Sequence, residues 1–354
     1  MTAVTGIITK QAPRFFNLEA KRRSRREALL AMADILKILE PLISRINATM
    51  SEMIARDEEI VARIGRYSFE GGGKRLRPLM FCLMYEALGG ELTPARLETS
   101  TAFEFLHMAT LLHDDIVDVA EVRRGRPAAH LAFGVPEAVL AGDYLLSKAA
   151  VIGSETANLE CIKALSWVVG ALSLGELVQL GSRRQVNLSE EDYFKIIYRK
   201  TAVLMEGATK AAAILSGAEG ETLEAASLYG RQFGLAFQIV DDILDYQGDQ
   251  TTFGKPVGHD LDEGKITLPF IRAREALGDE ARNHLRDLAE HENISPEDRE
   301  EIIALVGRGG GVASARLKAD ELIHEAIRAL HALKPSVARD RLEALALYTV
   351  SRTY

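Results

Sequence analysis

The chain is poor in cysteine, proline and tryptophan: its 354 residues include two Cys, ten Pro and one Trp. Cys82 and Cys161 stand far apart in apolar surroundings, which excludes a disulfide framework or a cysteine-built metal site and reads as two reduced core thiols. No excess of basic residues exists either. A net charge of −8 excludes a general nucleic-acid binder, which needs a cationic footprint, and suits a site that collects cations. Long apolar runs are missing too, since none approaches the roughly 18 residues that span a bilayer. The best of them, Ala164 to Gly175, reads as a buried core helix. The first residues lack a secretory apolar region, so the expected location is cytoplasmic. The basic segment Lys21 to Arg26 leaves three readings open: a membrane-surface patch, part of an organellar targeting segment, or a solvated lead-in.

What is present is helical periodicity. Stretches such as "REALLAMADILKILE" and "AASLYGRQFGLAFQIVDDILDY" repeat apolar residues every three to four positions, and prolines fall where helices start or stop. Alternating β-branched segments are scarce and no Asn-Gly hairpin signal occurs, so the fold class is all-α. A composition 47% hydrophobic and 27% charged supplies a large core, and no low-complexity linker divides it. The expected organisation is a poorly ordered lead-in over 1–28 and one helical domain over 29–354.

Two acidic stretches echo each other. "LLHDDIVD" (Leu111 to Asp118) and "FQIVDDILD" (Phe237 to Asp245) both place Asp-Asp-x-x-Asp at the end of an apolar helical run. Positions i and i+4 share a helix face, so Asp114 projects with Asp118 and Asp241 with Asp245. Like charges at that spacing repel, and burying them is costly without a compensating cation. Mg²⁺ fits, because it is held by one or two carboxylates together with phosphate oxygens. Cations surround both motifs. Arg123 and Arg124 follow the first, "GGGKRLRP" brings Lys74, Arg75 and Arg77 on a glycine-rich turn, and Lys200, Thr201, Lys255 and Lys265 lie further on.

Taken in order, Gly-Gly-Lys-Arg-x-Arg-Pro, Leu-x-His-Asp-Asp-x-x-Asp with Arg-Arg-Gly, Lys-Thr, Phe-Gln-x-x-Asp-Asp-x-x-Asp and Gly-Lys…Asp-Leu-x-x-Gly-Lys-x-Thr-Leu-Pro make the chain resemble the trans-isoprenyl diphosphate synthases. The resemblance runs from Lys74 to Pro269. It implies a single large helical bundle with a central cavity and an Mg²⁺-dependent prenyltransferase that condenses isopentenyl diphosphate with an allylic diphosphate. Asp114, Asp118 and Asp241 are then the metal ligands, for about three Mg²⁺ ions per site in a multi-metal clamp. Asp115, Asp242 and Asp245 become supporting acids. Arg123, Lys200, Thr201, Gln238, Lys255 and Lys265 fall to the allylic diphosphate, and Lys74, Arg77, His107 and Arg124 to isopentenyl diphosphate. His107 lies two helical turns before Asp114 and shares its face. His113 points elsewhere and is read as structural. A homodimer and a peripheral membrane contact for product release also follow from the resemblance.

Product length is read from the helix before the first motif. Thr110 and Ala109 lie roughly 6 to 7.5 Å down the axis from Asp114. In the family, aromatic residues here close the tunnel for short products, whereas this chain has small ones. The preferred reading is a long-chain synthase of the octaprenyl, solanesyl or decaprenyl kind, serving a quinone side chain. The alternative is a short-chain farnesyl or geranylgeranyl diphosphate synthase, with Phe103 and Phe105 available to narrow the passage. A terpene cyclase is disfavoured by the repeated aspartate motif, and a non-catalytic subunit by the retention of both motifs.

Overall fold

The computed structural model describes residues 16–352 except 71, 248–256 and 292, with side chains described from Ile35 onward. Among these residues the fold is helical throughout, apart from a two-residue antiparallel ladder. The first half comprises α1 (Phe16–Ala55), α2 (Glu59–Glu70), α3 (Leu76–Ala87), α4 (Pro94–Val117), α5 (Ala129–Phe133), α6 (Val135–Glu155) and α7 (Leu159–Ser182). Between α4 and α5, Val122–Arg123 pairs with Arg126–Pro127 as strands β1 and β2. Next come α8 (Glu190–Ile197), a π-helical turn (Tyr198–Ala202), α9 (Val203–Leu215) and α10 (Gly220–Gln247). The chain closes with α11 (His259–Asp262), α12 (Leu268–Ala276), α13 (Asp279–Glu290), α14 (Pro296–Arg308), α15 (Gly311–Ala329) and α16 (Val337–Ser351).

Local chemistry sets the ends of the elements that carry the site. Thr93 caps α4, its hydroxyl accepting from the Arg96 N–H at 3.3 Å, and Pro94 occupies the first turn, where its missing N–H costs nothing. Asn158 caps α7 and Ser189 caps α8 in the same way. α4 ends at Asp118, whose N–H donates to the Asp114 carbonyl at 2.8 Å, and the chain then turns sharply through Val119 at φ 51°.

α4, α9 and α10 form the interior. α4 packs on α3 and α6, while α9 lies against α3, α7 and α10, and α15 covers the other side of α10. Phe81, Phe103, Phe105, Tyr229 and Phe233 are fully buried at these contacts. Close approach depends on small residues. A Cβ on Gly234 of α10 would stand 2.5 Å from the Ala202 Cα, and one on Gly175 of α7 would stand 3.0 Å from the Arg199 backbone. The π-helical turn is thereby gripped from two sides, and it is this turn that carries Lys200 and Thr201.

One expectation needs correcting. α7 is not a buried core helix: Ala164, Leu165, Val168 and Leu172 face inward, but Leu159, Trp167, Leu174 and Leu177 are exposed. The helix is apolar all round, and a single bundle can cover only one of its sides.

Candidate active site

The two acidic helix ends converge on one cleft. At the end of α4, Asp118 forms an ion pair with Arg183, which lies just beyond α7. Asp114 sits on the same face. Burial raises its carboxyl to about 6, with Lys200 opposing the shift and Glu176 and Asp118 adding to it. Lys200 is itself held by Glu176 at 2.8 Å and by Gln179. Asp115 points to the other side of the helix, where it accepts from Arg123 Nε at 2.8 Å.

At the end of α10, Asp241 pairs with Arg352 beyond α16. Asp242 is buried and accepts from Tyr193 OH at 2.5 Å and Gln238 Nε2 at 2.8 Å, and Gln238 Oε1 accepts from Thr201 Oγ1 at 2.7 Å. Burial, then the neighbouring Asp260, push its pKa upward. Asp245 accepts from the backbone N–H groups of His259 and Asp260, both at 3.1 Å, and so ties the start of α11 to α10.

Lys265 joins the halves. Burial pulls its pKa down, but Asp260, Glu263 and Asp118 together leave it raised. Asp260 in turn acts on Asp241, Asp242 and Asp245. Lys265 lines one cavity with Asp242 and with Arg183, the ion-pair partner of Asp118, so the two acidic helix ends border a shared cleft. Of the residues expected on the allylic diphosphate, Lys200, Thr201, Gln238 and Lys265 line one cavity, together with Tyr193 and Asp242. Lys255 lies outside the described residues.

A second cavity lies against α4 and is lined by its Glu104, Met108 and Leu112. His107 and Arg124 line it with Asp115 and Arg123, so Arg123 lies in this cavity and not in the one that Lys200 and Lys265 line. Arg124 adopts φ 54° and reaches back to the Gly72 carbonyl, joining the β1–β2 hairpin to the glycine-rich turn. Burial, then Arg77, Arg124, Arg123 and Arg75, hold the His107 pKa well below its usual value, so its imidazole is neutral at pH 7. Arg77 lies within electrostatic reach of Arg124 and Asp241. Lys74 donates to Tyr348 OH at 3.3 Å and acts on Asp241. Arg75 is structural: buried, it binds Glu104 at 3.1 Å, Asn47 at 3.0 Å and the Phe69 carbonyl at 2.8 Å. His113 is also structural, its Nε2 lying 3.2 Å from the Val139 carbonyl of α6.

Several site residues escape a reading of the sequence. Asp260 stands in the same "GHDLDEGK" run as Lys265, and its proximity was the available signal. Glu176, Gln179, Arg183, Tyr193 and Arg352 carry no local mark, because only the fold brings them to the aspartates.

The donors suit a divalent cation of a particular kind. Among the described residues no three His, Cys, Asp or Glu side chains cluster as a closed cage. Oxygens instead come singly or in pairs from the two helix ends, with Asp118 and Asp241 each paired to an arginine. That is the donor set of an ion completed by phosphate oxygens.

An all-helical bundle whose two aspartate-bearing helix ends border a cation-lined cleft defines the class: a prenyltransferase of the isoprenoid synthase fold. The polyprenyl synthetase family model matches residues 58–306, and the chain belongs to that family. It is 36% identical to the octaprenyl diphosphate synthase of Escherichia coli, over 87% of this chain and 94% of that protein. It is 35% identical to the short chain isoprenyl diphosphate synthase of Methanothermobacter thermautotrophicus, over 92% of this chain and 100% of that one. The crystal structure of a decaprenyl diphosphate synthase from Rhodobacter capsulatus superposes with a TM-score of 0.82 at 33% identity, covering 90% of this chain and 98% of that one.

Proposed function

We propose that the protein is a Mg²⁺-dependent synthase of long-chain all-trans polyprenyl diphosphates, adding isopentenyl diphosphate units head-to-tail to an allylic diphosphate. The observation that carries this reading is the single cavity that Asp242 of one acidic helix end shares with Lys200, Lys265 and Arg183, the last paired with Asp118 of the other. Asp114, Asp118 and Asp241 would hold the metal, whose contribution is to neutralise the charge of the departing diphosphate. Lys200, Thr201, Gln238 and Lys265 orient the allylic diphosphate with its reactive carbon toward the second cavity. There Arg124, with Arg77 within its electrostatic reach, holds isopentenyl diphosphate by charge. Neutral His107 donates one hydrogen bond without adding to the positive charge. Ionisation of the allylic C–O bond leaves a carbocation, which the isopentenyl double bond attacks. Loss of a proton to the released diphosphate then restores the alkene. The cations are fixed before reaction by Glu176, Gln179, Asp115 and Glu263, so their alignment costs little at the transition state.

Chain length is read from α4. Ala109 is fully buried and Thr110 half-buried, with its hydroxyl turned onto the His107 carbonyl at 2.9 Å. Both side chains are small, which supports a long product. The octaprenyl and decaprenyl relatives support a long product, and Phe103 and Phe105 deeper in α4 are the residues a short-chain reading would invoke. Mass spectrometry of the lipids formed from farnesyl diphosphate, isopentenyl diphosphate and Mg²⁺ tests the assignment. Products extending well past geranylgeranyl diphosphate are expected, and Ala109→Phe should shorten them. Wild-type products that stop at geranylgeranyl diphosphate establish the short-chain alternative. No turnover without an added partner would point to a regulatory subunit.

A homodimer belongs to the same proposal. The exposed apolar residues of α6 and α7 form the surface it would cover.

A further inference from the structure

We propose that Arg183 is a binding residue for the allylic diphosphate, held beside Lys265 by a purpose-built corner of the chain. The inference rests on the prenyl-transfer reading and adds to it a cation that no sequence motif marks. α7 ends at Ser182; Arg183 then leaves the helix with φ −55° and ψ 135°, and Arg184 turns into the left-handed region at φ 59°. A non-glycine residue there is uncommon and costs about 1 kcal/mol or more, so surrounding contacts must hold it.

The backbone contact leads to the Lys265 loop, and a side-chain contact to the residue after α13 anchors it. The Arg184 N–H donates to the Gly264 carbonyl at 2.7 Å, and its guanidinium donates to the His291 carbonyl at 2.6 Å. Gly264 is at φ 72°, and a Cβ on it would lie 2.8 Å from the Arg184 Cγ, so glycine is required on both counts. Arg183 and Lys265 are the chain neighbours of the two bonded residues. One backbone hydrogen bond thus fixes both cations on the wall of a single cavity, together with Lys200, Thr201 and Gln238.

The chemistry of Arg183 matches that place. Its guanidinium is paired with Asp118, yet its Nε is buried without a partner. Five N–H donors in a planar fork exceed what one carboxylate accepts, and they fit the oxygens of a diphosphate. Asp118 is also an expected metal ligand. A cation bound there repels the guanidinium, and a diphosphate in the cavity is the anion available to receive it. Among the described residues, Lys200 approaches the diphosphate position from the π-helical turn and Lys265 from the loop before α12. Arg183 supplies a third direction, from the end of α7.

The test uses full-length wild type, Arg183→Gln and Arg183→Lys. Calorimetry reads the binding of inorganic pyrophosphate in the presence of Mg²⁺, and steady-state kinetics read KM for farnesyl diphosphate and for isopentenyl diphosphate. Arg183→Gln should weaken pyrophosphate binding and raise the farnesyl diphosphate KM by about tenfold or more, as loss of a charge-assisted pair does. The isopentenyl diphosphate KM should stay within about twofold, because that substrate is held by a different set of cations. Arg183→Lys keeps the charge without the fork and should recover part of the loss. If Arg183→Gln does not fold, Arg183→Lys alone decides, with a smaller loss confined to the allylic side expected. Unchanged pyrophosphate affinity, or equal losses on both substrates, overturns the proposal. A wild type that binds pyrophosphate but makes no prenyl product would instead defeat the functional reading, with the Arg183 comparison still measurable by calorimetry.

Discussion

Val119 shows how much a single residue beside the site departs from what its type prefers. It is β-branched, sits at φ 51° immediately after Asp118, and is 77% exposed, so no packing offsets the strain. The turn it makes is the usual end of a helix: the Ala120 N–H reaches the Asp115 carbonyl at 2.9 Å, an arrangement that favours glycine at the left-handed position. Val119→Gly should therefore stabilise the protein by about 1 kcal/mol, the relief at φ > 0 outweighing glycine's greater freedom in the unfolded chain. Equilibrium urea unfolding measures this, and an unchanged or lower midpoint would refute it. If the same variant also loses activity, the strained turn contributes to aiming Asp118.

Elements position what single residues cannot. The π-helical turn at Tyr198–Ala202 inserts an extra residue into the helical run and so presents Lys200 to Glu176 and Thr201 to Gln238 at once. Gly234→Ala would drive a methyl group into Ala202. We expect a stability loss of about 1–3 kcal/mol from overpacking, with a rise in the allylic KM that exceeds any change in the isopentenyl KM. Equal changes in the two constants would show that the turn does not set the allylic subsite. The acidic helix ends give a second element-scale prediction. The folded protein holds a proton on Asp114 up to about pH 6, whereas an unfolded aspartate releases it near about 4. Between these values the folded state binds more protons, so this group's contribution to stability falls as pH rises through the window. A cation that needs the ionised carboxylate gains over the same range. The thermal stabilisation given by Mg²⁺ over chelator should accordingly grow as pH rises through about 6, and a gap independent of pH would contradict it. Much of this was legible in advance. Apolar periodicity announced the helices, the prolines announced where helices start or stop, and the paired aspartates announced the cleft. The π-helical turn was not, because it follows from the grip of Gly175 and Gly234 on neighbouring helices and not from its own residues. Arg183 and Arg352 were not, since an isolated arginine far from a motif looks like any solvated side chain until the fold delivers it.

At the scale of the whole molecule, α7 is the element that one copy of the chain leaves incompletely covered. Leu159–Ser182 has the length and mean composition of a membrane span, although its uninterrupted apolar run stops before Glu176, and only 33% of its most apolar window is buried. A transmembrane role does not fit, because α7 has one side packed on α9 and carries Glu176 and Gln179 into the polar cleft. A second copy suits it better. Leu174 and Leu177 of α7 and Leu140 and Val151 of α6 are exposed, Leu177 to 67%, and α6 packs directly on α7. A stable protein interface buries roughly 1,600 Å² in total, an area that two such helices and their symmetry mates can supply. Isologous pairing would place the ends of α7, and with them Glu176 and Arg183, on a scaffold braced from both sides, linking assembly to the geometry of the allylic cavity. Sedimentation velocity should find the wild type as a dimer, and Leu174→Glu with Leu177→Glu should give a monomer with a higher allylic KM, since charges introduced at the centre of an interface lose their hydration without gaining partners. A monomeric wild type, or wild-type protein that pellets with lipid vesicles through these leucines, would show that something other than a second copy covers α7.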